Sequence, residues 1–145
     1  MTLVQNKKVN FDYEILDRYE AGMELLGTEV KALRSGMGSL GGSHIIIRGG
    51  EAYLIGATIP PYQAGNVIKN YDPIRNRRLL LTKDEITTLA LHESTRGLTI
   101  VPIKVYNRGR TLKIEVAIVR GKKEYDKRES IKKRESERET MRSLK

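Results

Sequence analysis

The sequence predicts a mainly β fold with short helices, a small antiparallel OB-like β-barrel that ends in a basic tail. Apolar residues alternate with polar ones over several stretches before residue 120, and glycine-rich turns separate those stretches. The final residues, Gly121 to Lys145, offer almost nothing for a core to bury. With 145 residues, 39% of them hydrophobic, the chain is long enough for one compact core and too short for two. The division that follows is a barrel over residues 1–120 and a tail over residues 121–145, disordered when free.

Phe11, Tyr13, Ile15, Tyr19, Ala21, Met23 and Leu25 occupy alternate positions, broken only at Asp17, and predict one long half-buried strand. Gly27 to Gly36 reads as a short helix with Thr28 as N-cap and Gly36 as C-cap. His44 to Arg48 and Ala52 to Ile59 flank Gly49-Gly50, a residue pair suited to a tight hairpin turn. From Pro60 to Arg78 the Pro, Gly and Asn content predicts an ordered loop, followed by a buried strand at Leu79-Leu80-Leu81. Thr82 then caps a helix in which Ile86, Leu89 and Ala90 share a face, ending near Gly97. A second hairpin completes the series: Val101, Ile103 and Val105 alternate, Asn107-Arg108-Gly109 turns, and Leu112, Ile114, Val116 and Ile118 alternate back. Five or six strands with two short helices suit a closed or partly open barrel, since closure removes exposed strand edges.

Charge narrows the partners. Lys and Arg number 27 against 18 Asp and Glu, a net +9, which favours a polyanion, nucleic acid ahead of an anionic membrane. Residues 120–145 alone hold eleven basic and six acidic side chains, and their few apolar ones, Tyr125, Ile131, Met141 and Leu144, do not line up on one helix face. Pairs such as Glu124 with Arg128 and Glu129 with Lys133 permit a helix there once an anionic surface holds it. The absence of cysteine excludes disulfides, zinc ribbons, iron–sulfur clusters and thiol nucleophiles. No signal-like apolar stretch opens the chain and no run has the length of a membrane span, so a soluble cytoplasmic protein is the expectation.

Several patterns invite over-reading. Gly36-Met37-Gly38-Ser39-Leu40-Gly41 fits G-x-G-x-x-G, but a dinucleotide fingerprint needs a strand before it and a helix after it, and the order here is reversed. His44 and His92 have no carboxylate or hydroxyl spaced to make either a base or a metal ligand, so neither a catalytic nor a metal site is expected. Asp84 and Glu85 are explained by the positive end of a helix dipole. More telling is the interleaving of cations with aromatic side chains: Lys7 and Lys8 before Phe11 and Tyr13, Tyr62, Lys69 and Tyr71 before Arg75, Arg77 and Arg78, and Tyr106 beside Arg108 and Arg110. A barrel bearing aromatics and cations is a common way to hold RNA.

The stretches YEAG (Tyr19 to Gly22), GTEVKALR (Gly27 to Arg34), GEAYL (Gly50 to Leu54), YDPIRNRRLLL (Tyr71 to Leu81) and GKKEYDKRESIKKRE (Gly121 to Glu135) are similar in order and spacing to those of the SsrA-binding protein family, also called small protein B. The resemblance spans nearly the whole chain. It implies a non-enzymatic adaptor of trans-translation, without a cofactor, that binds the tRNA-like domain of tmRNA, supports its aminoacylation and escorts it to stalled 70S ribosomes. Elongation factor Tu and alanyl-tRNA synthetase would be reached indirectly, through tmRNA, by a monomer that touches no membrane. It further implies that the tail senses the empty mRNA channel. As a helix, 24 residues from Lys122 would span about 36 Å and turn cations to rRNA on every side.

Carried onto matching positions, the resemblance makes Glu20, Leu80 and Lys113 RNA-site residues, with Asn6, Lys7, Lys31, Arg34, Arg75 and Arg77 as further candidates. Leu80 is expected to support the surface from inside, and Glu20 either to accept from a base amine or to orient a neighbouring cation. Gly121, Lys122, Lys123, Asp126, Lys127, Arg128, Lys132, Lys133 and Arg134 are assigned to the ribosome-binding tail. The chain departs from the family pattern at Gly36 to His44, where a cation is lost and glycines are gained, and at Thr82, Tyr125 and Ser143-Leu144. A structural ribosomal protein or a general RNA chaperone of barrel type is the alternative, and a hydrolase using His44 or His92 is a third reading without an evident substrate.

Overall fold

The computed structural model describes residues 2–62 and 70–122. Seven strands form one antiparallel sheet in the order β1-β6-β7-β2-β5-β4-β3. They are β1 (Thr2–Gln5), β2 (Tyr13–Met23), β3 (His44–Arg48), β4 (Glu51–Ile55), β5 (Arg77–Leu80), β6 (Leu98–Arg108) and β7 (Thr111–Gly121), joined with the helices α1 (Val9–Asp12), α2 (Gly27–Arg34) and α3 (Lys83–Glu93). Of the two forms expected, closed or partly open, the sheet takes the open one. Its end strands β1 and β3 do not pair with each other. The free edge of β3 is instead occupied by a side chain: the Ile47 amide donates to Glu93 Oε2 at 2.5 Å, while Arg48 pairs with Glu93 Oε1 at 2.7 Å. A carboxylate on an edge amide blocks strand addition there.

The main core gathers inward-facing positions of all seven strands, among them Val4, Ala21, Ile45, Leu54, Leu79, Ile100, Val105, Ile114 and Val116, together with Ala32 and Leu33 of α2 and Leu89 of α3. A smaller cluster lies where Val9 of α1 covers Val101, Ile103, Ala117 and Val119. Residues Val116 to Val119 are consequently buried at consecutive positions rather than alternately. Capping by α1 therefore dries one end of the sheet's outer face.

Several local expectations hold for the reasons given. Gly49 and Gly50, at φ 58° and 76°, make the two-residue turn between β3 and β4. Thr82 Oγ1 accepts from the Glu85 amide at 3.2 Å and Glu85 Oε1 accepts from the Thr82 amide at 3.0 Å, a reciprocal cap on α3. Gly36, at φ 77°, closes α2 with its amide on the Leu33 carbonyl and the Met37 amide on that of Ala32. These two bonds are the Schellman pair. The register of β2 on β7 shifts between Ile15 and Asp17, where the alternation breaks and Leu16 turns outward.

Others need correction. Phe11 lies in the one-turn helix α1, not in the long strand, which begins at Tyr13. The cap of α2 falls at Leu26 rather than Thr28, because Glu29 Oε1 accepts from the Leu26 amide at 2.8 Å and does the work a threonine hydroxyl would do. The β6–β7 turn is Gly109-Arg110, since Arg108 still pairs with Thr111. Gly121 and Lys122 belong to the barrel and not the tail: Gly121 pairs with Tyr13 in the β7–β2 ladder. The Lys122 amide donates to the Asp12 carbonyl at 2.9 Å and its Nζ to the Asn10 carbonyl at 2.7 Å. The expected helix of the tail, with Lys123, Asp126, Lys127, Arg128, Lys132, Lys133 and Arg134, lies outside the described residues, as do Asn66 and Lys69 of the long loop.

Candidate nucleic-acid interface

Strand pleating sets one row of side chains on the outer face. Tyr106 of β6 lies opposite Lys113 of β7, Lys113 opposite Gly22 of β2, and Gly22 opposite Leu80 of β5. A second row beside it holds Lys104, Glu115 and Glu20. The three residues named by resemblance, Glu20, Leu80 and Lys113, are thus brought onto one surface by the register of three strands, β2, β5 and β7. Leu80 does not support that surface from inside; at 48% exposure it stands on it. Gly22 makes room for it, since a Cβ there would lie 3.2 Å from Leu80 Cβ. A run of three leucines carries no alternation, so its phase could not be read beforehand.

Glu20 is the hub. Its Oε2 accepts a short hydrogen bond from the Tyr106 hydroxyl, and Arg108 Nη1 sits 2.7 Å from Oε1 and 2.9 Å from Oε2. The Tyr106 bond, then Arg108 and the nearby Lys113 charge, hold the Glu20 carboxyl below the ordinary carboxylate range. Partial burial, with Glu20 second, pushes the Tyr106 hydroxyl up to about 12, so it remains a donor at any physiological pH. Lys104 Nζ lies 5.5 Å from the centroid of the Tyr106 ring, and Arg18 pairs with Glu115 at 3.0 Å. Lys113 is a ladder member with no ion pair of its own among the described residues. Replacing it with Glu is expected to weaken RNA binding and lower the slope of log K against log salt by about one. A titration series between low and physiological salt checks this, and an unchanged slope removes Lys113 from the contact.

The remaining candidates separate. Lys31 and Arg34 are exposed on the last turn of α2, and Arg34 Nη2 donates to the Arg110 carbonyl at 2.6 Å, tying the helix to the β6–β7 turn. Lys7 is exposed; Asn6 is held in place, its amide on the Ile103 carbonyl at 2.8 Å and its Nδ2 on that of Pro102 at 3.0 Å. Both line a cleft of about 590 Å³ with the glycine-rich segment 38–43 and His44. Arg77 is corrected: its side chain is 0% exposed, and both Nε and Nη2 bind Glu29 Oε2, at 2.8 and 2.6 Å. Arg75 reaches the same carboxylate while staying partly exposed. Arg77 is therefore a framework residue whose charge is already used, not a phosphate contact.

Tyr106 and Arg108 stood out in the sequence only as an aromatic beside a cation, and were not among the named RNA-site residues. The available signal was their spacing of two on a strand, which sets both on the face that carries Lys104. Among the described residues no three His, Asp or Glu side chains converge as metal ligands, and no helix is long and apolar enough to cross a membrane. His92 Nδ1 is bonded to the Thr88 carbonyl of its own helix at 2.8 Å.

An open antiparallel barrel with cations, a tyrosine and an exposed leucine in register on one face defines an RNA-binding protein of the small-barrel class. The chain belongs to the SmpB protein family, whose profile matches residues 3–145. The SsrA-binding protein of Thermosipho africanus is 50% identical over 99% of this chain and 96% of its own length. That of Latilactobacillus sakei is 46% identical over 98% and 90%. A chain of the solved structure "tmRNA-SmpB: a journey to the center of the bacterial ribosome" superposes with a TM-score of 0.71 at 44% identity, covering 83% of this chain and 84% of that one.

Proposed function

We propose that the protein is the tmRNA-binding adaptor of trans-translation, acting on stalled ribosomes. The observation that carries this reading is the clustering of Glu20, Leu80 and Lys113 on one outer face, in a chain nearly half identical to SsrA-binding proteins over its whole length. That face binds the tRNA-like domain of tmRNA, with Lys31, Arg34 and the partly exposed Arg75 adding phosphate contacts. Binding there supports aminoacylation and delivery, engaging elongation factor Tu and alanyl-tRNA synthetase only through the RNA. The basic tail beyond Lys122 reads the vacancy of the mRNA channel, where its nine basic and six acidic side chains meet rRNA.

The test is a competition titration at physiological salt, with the protein added to the tRNA-like domain of tmRNA in the presence of excess bulk tRNA. Binding that survives the excess is expected. Binding erased by tRNA would instead describe a general RNA chaperone or a ribosomal barrel protein.

A further inference from the structure

An acidic side chain in the middle of a surface that docks a polyanion is an electrostatic liability unless its charge is already spent. Glu20 meets that condition. One of its oxygens takes the Tyr106 hydroxyl and both are within reach of a single Arg108 nitrogen, so a base amine would have to share a carboxylate whose charge is already paired. The groups on the other end of those bonds are the ones suited to RNA. Tyr106 is only half-buried, flanked by Lys104 and Arg108 at positions two before and two after it, by Thr2 across the β1 pairing and by Lys113 across the β7 pairing. Its ring is fixed at the hydroxyl end and has the Lys104 ammonium over it, a tyrosine–cation pair of the kind that takes part in base stacking. Leu80 completes an apolar element in the same row.

We propose that Tyr106 stacks an unpaired nucleobase of the bound RNA, and that Glu20 is a positioning residue that locks the Tyr106 ring and the Arg108 guanidinium for that contact without touching RNA. This deepens the adaptor reading and rests on it for the identity of the RNA, an unstacked base in a structured loop being what such a surface recognises. Charge alone says that removing a carboxylate beside a polyanion tightens binding; loss of positioning says that it weakens binding.

The experiment measures dissociation constants of the full-length protein for the tRNA-like domain transcript over a salt series, for the unaltered chain, Tyr106→Phe, Tyr106→Leu, Glu20→Ala and the Glu20→Ala/Tyr106→Leu double variant, with thermal midpoints to confirm folding. Tyr106→Leu is expected to weaken binding about tenfold or more with no change in salt slope, because stacking releases no counterions. Tyr106→Phe keeps the ring and is expected to lose only a few-fold, on the order of one lost hydrogen bond. Glu20→Ala weakens binding alone and costs little more once Tyr106 is leucine. Tighter binding by Glu20→Ala, a Glu20 cost that is equal in both backgrounds, or an unchanged affinity in Tyr106→Leu would each overturn the proposal. If bulk tRNA displaces the transcript from the unaltered protein, it is the adaptor reading that fails, and the same cycle on the RNA that does bind still decides the stacking.

Discussion

Glu29→Leu unfolds the protein more readily by about 3–5 kcal/mol, a large share of the stability of a domain this size. The reason is the environment its carboxylate serves. Glu29 is 1% exposed, and its two oxygens accept from the Leu26 amide, the Tyr71 hydroxyl at 3.1 Å, Arg75 Nε at 3.1 Å and Arg77 Nε and Nη2. Removing it strands the fully buried Arg77 cation, which the Ala57 and Pro73 carbonyls at 2.9 and 3.0 Å do not neutralise. Glu29→Leu/Arg77→Met is therefore expected to recover much of the loss, since apolar replacement of both partners is often close to neutral. Acid should reproduce the single variant. Burial by itself would raise the Glu29 pKa, but the hydrogen bonds from Arg75, Leu26 and Arg77 outweigh it and hold it below the ordinary 4.5. A lowered carboxylate contributes stability that is complete above that ordinary value and is lost as pH falls through the depressed one. Urea unfolding at pH 7 and at pH 3 checks both points: the gap between parent and Glu29→Leu must narrow in acid. A gap independent of pH would show that the carboxylate's charge is not what matters.

A stop codon after Lys122 is expected to abolish peptide tagging on stalled ribosomes while leaving affinity for the tRNA-like domain within about twofold at physiological salt. The cut is placed there because Gly121 and Lys122 are stitched to β2 and α1, so ending the chain at Arg120 would also remove barrel hydrogen bonds. Losing nine basic and six acidic residues takes the formal net charge from +9 to +6, too small a change to alter steering strongly at physiological salt. Tagging by the shortened protein would remove the tail from ribosome sensing. A tenfold loss of RNA affinity would move it into the tmRNA site.

Much of this was legible in the sequence because it is local. The alternations of β2, β6 and β7, the Gly49-Gly50 turn, the Thr82–Glu85 cap and even the break at Asp17 are set by neighbours within a few residues. β1 was not legible: four residues with one buried side chain carry no period. Nor was the Glu29 network, whose partners are 42 to 48 residues away, so that Arg77 resembles any other cation of a basic loop until the fold closes over it. For the site, the resemblance supplied Glu20, Leu80 and Lys113, yet the direction of Leu80 and the engagement of Glu20 by Tyr106 depend on strand register across the sheet. Which charge is already satisfied is a property of the tertiary structure.

The stitching at the end of β7 also has a mechanical meaning. The described chain ends at Lys122, directly after a strand that is paired on both sides, against β2 from Tyr13 to Gly22 and against β6 from Leu98 to Arg108. A pull along the axis of β7 would load both ladders in shear, where the hydrogen bonds share the force instead of breaking one after another. The barrel is thus a firm anchor point, and tension on its C-terminal end would be passed as a rigid-body tug to the face that carries Lys113 on that same strand.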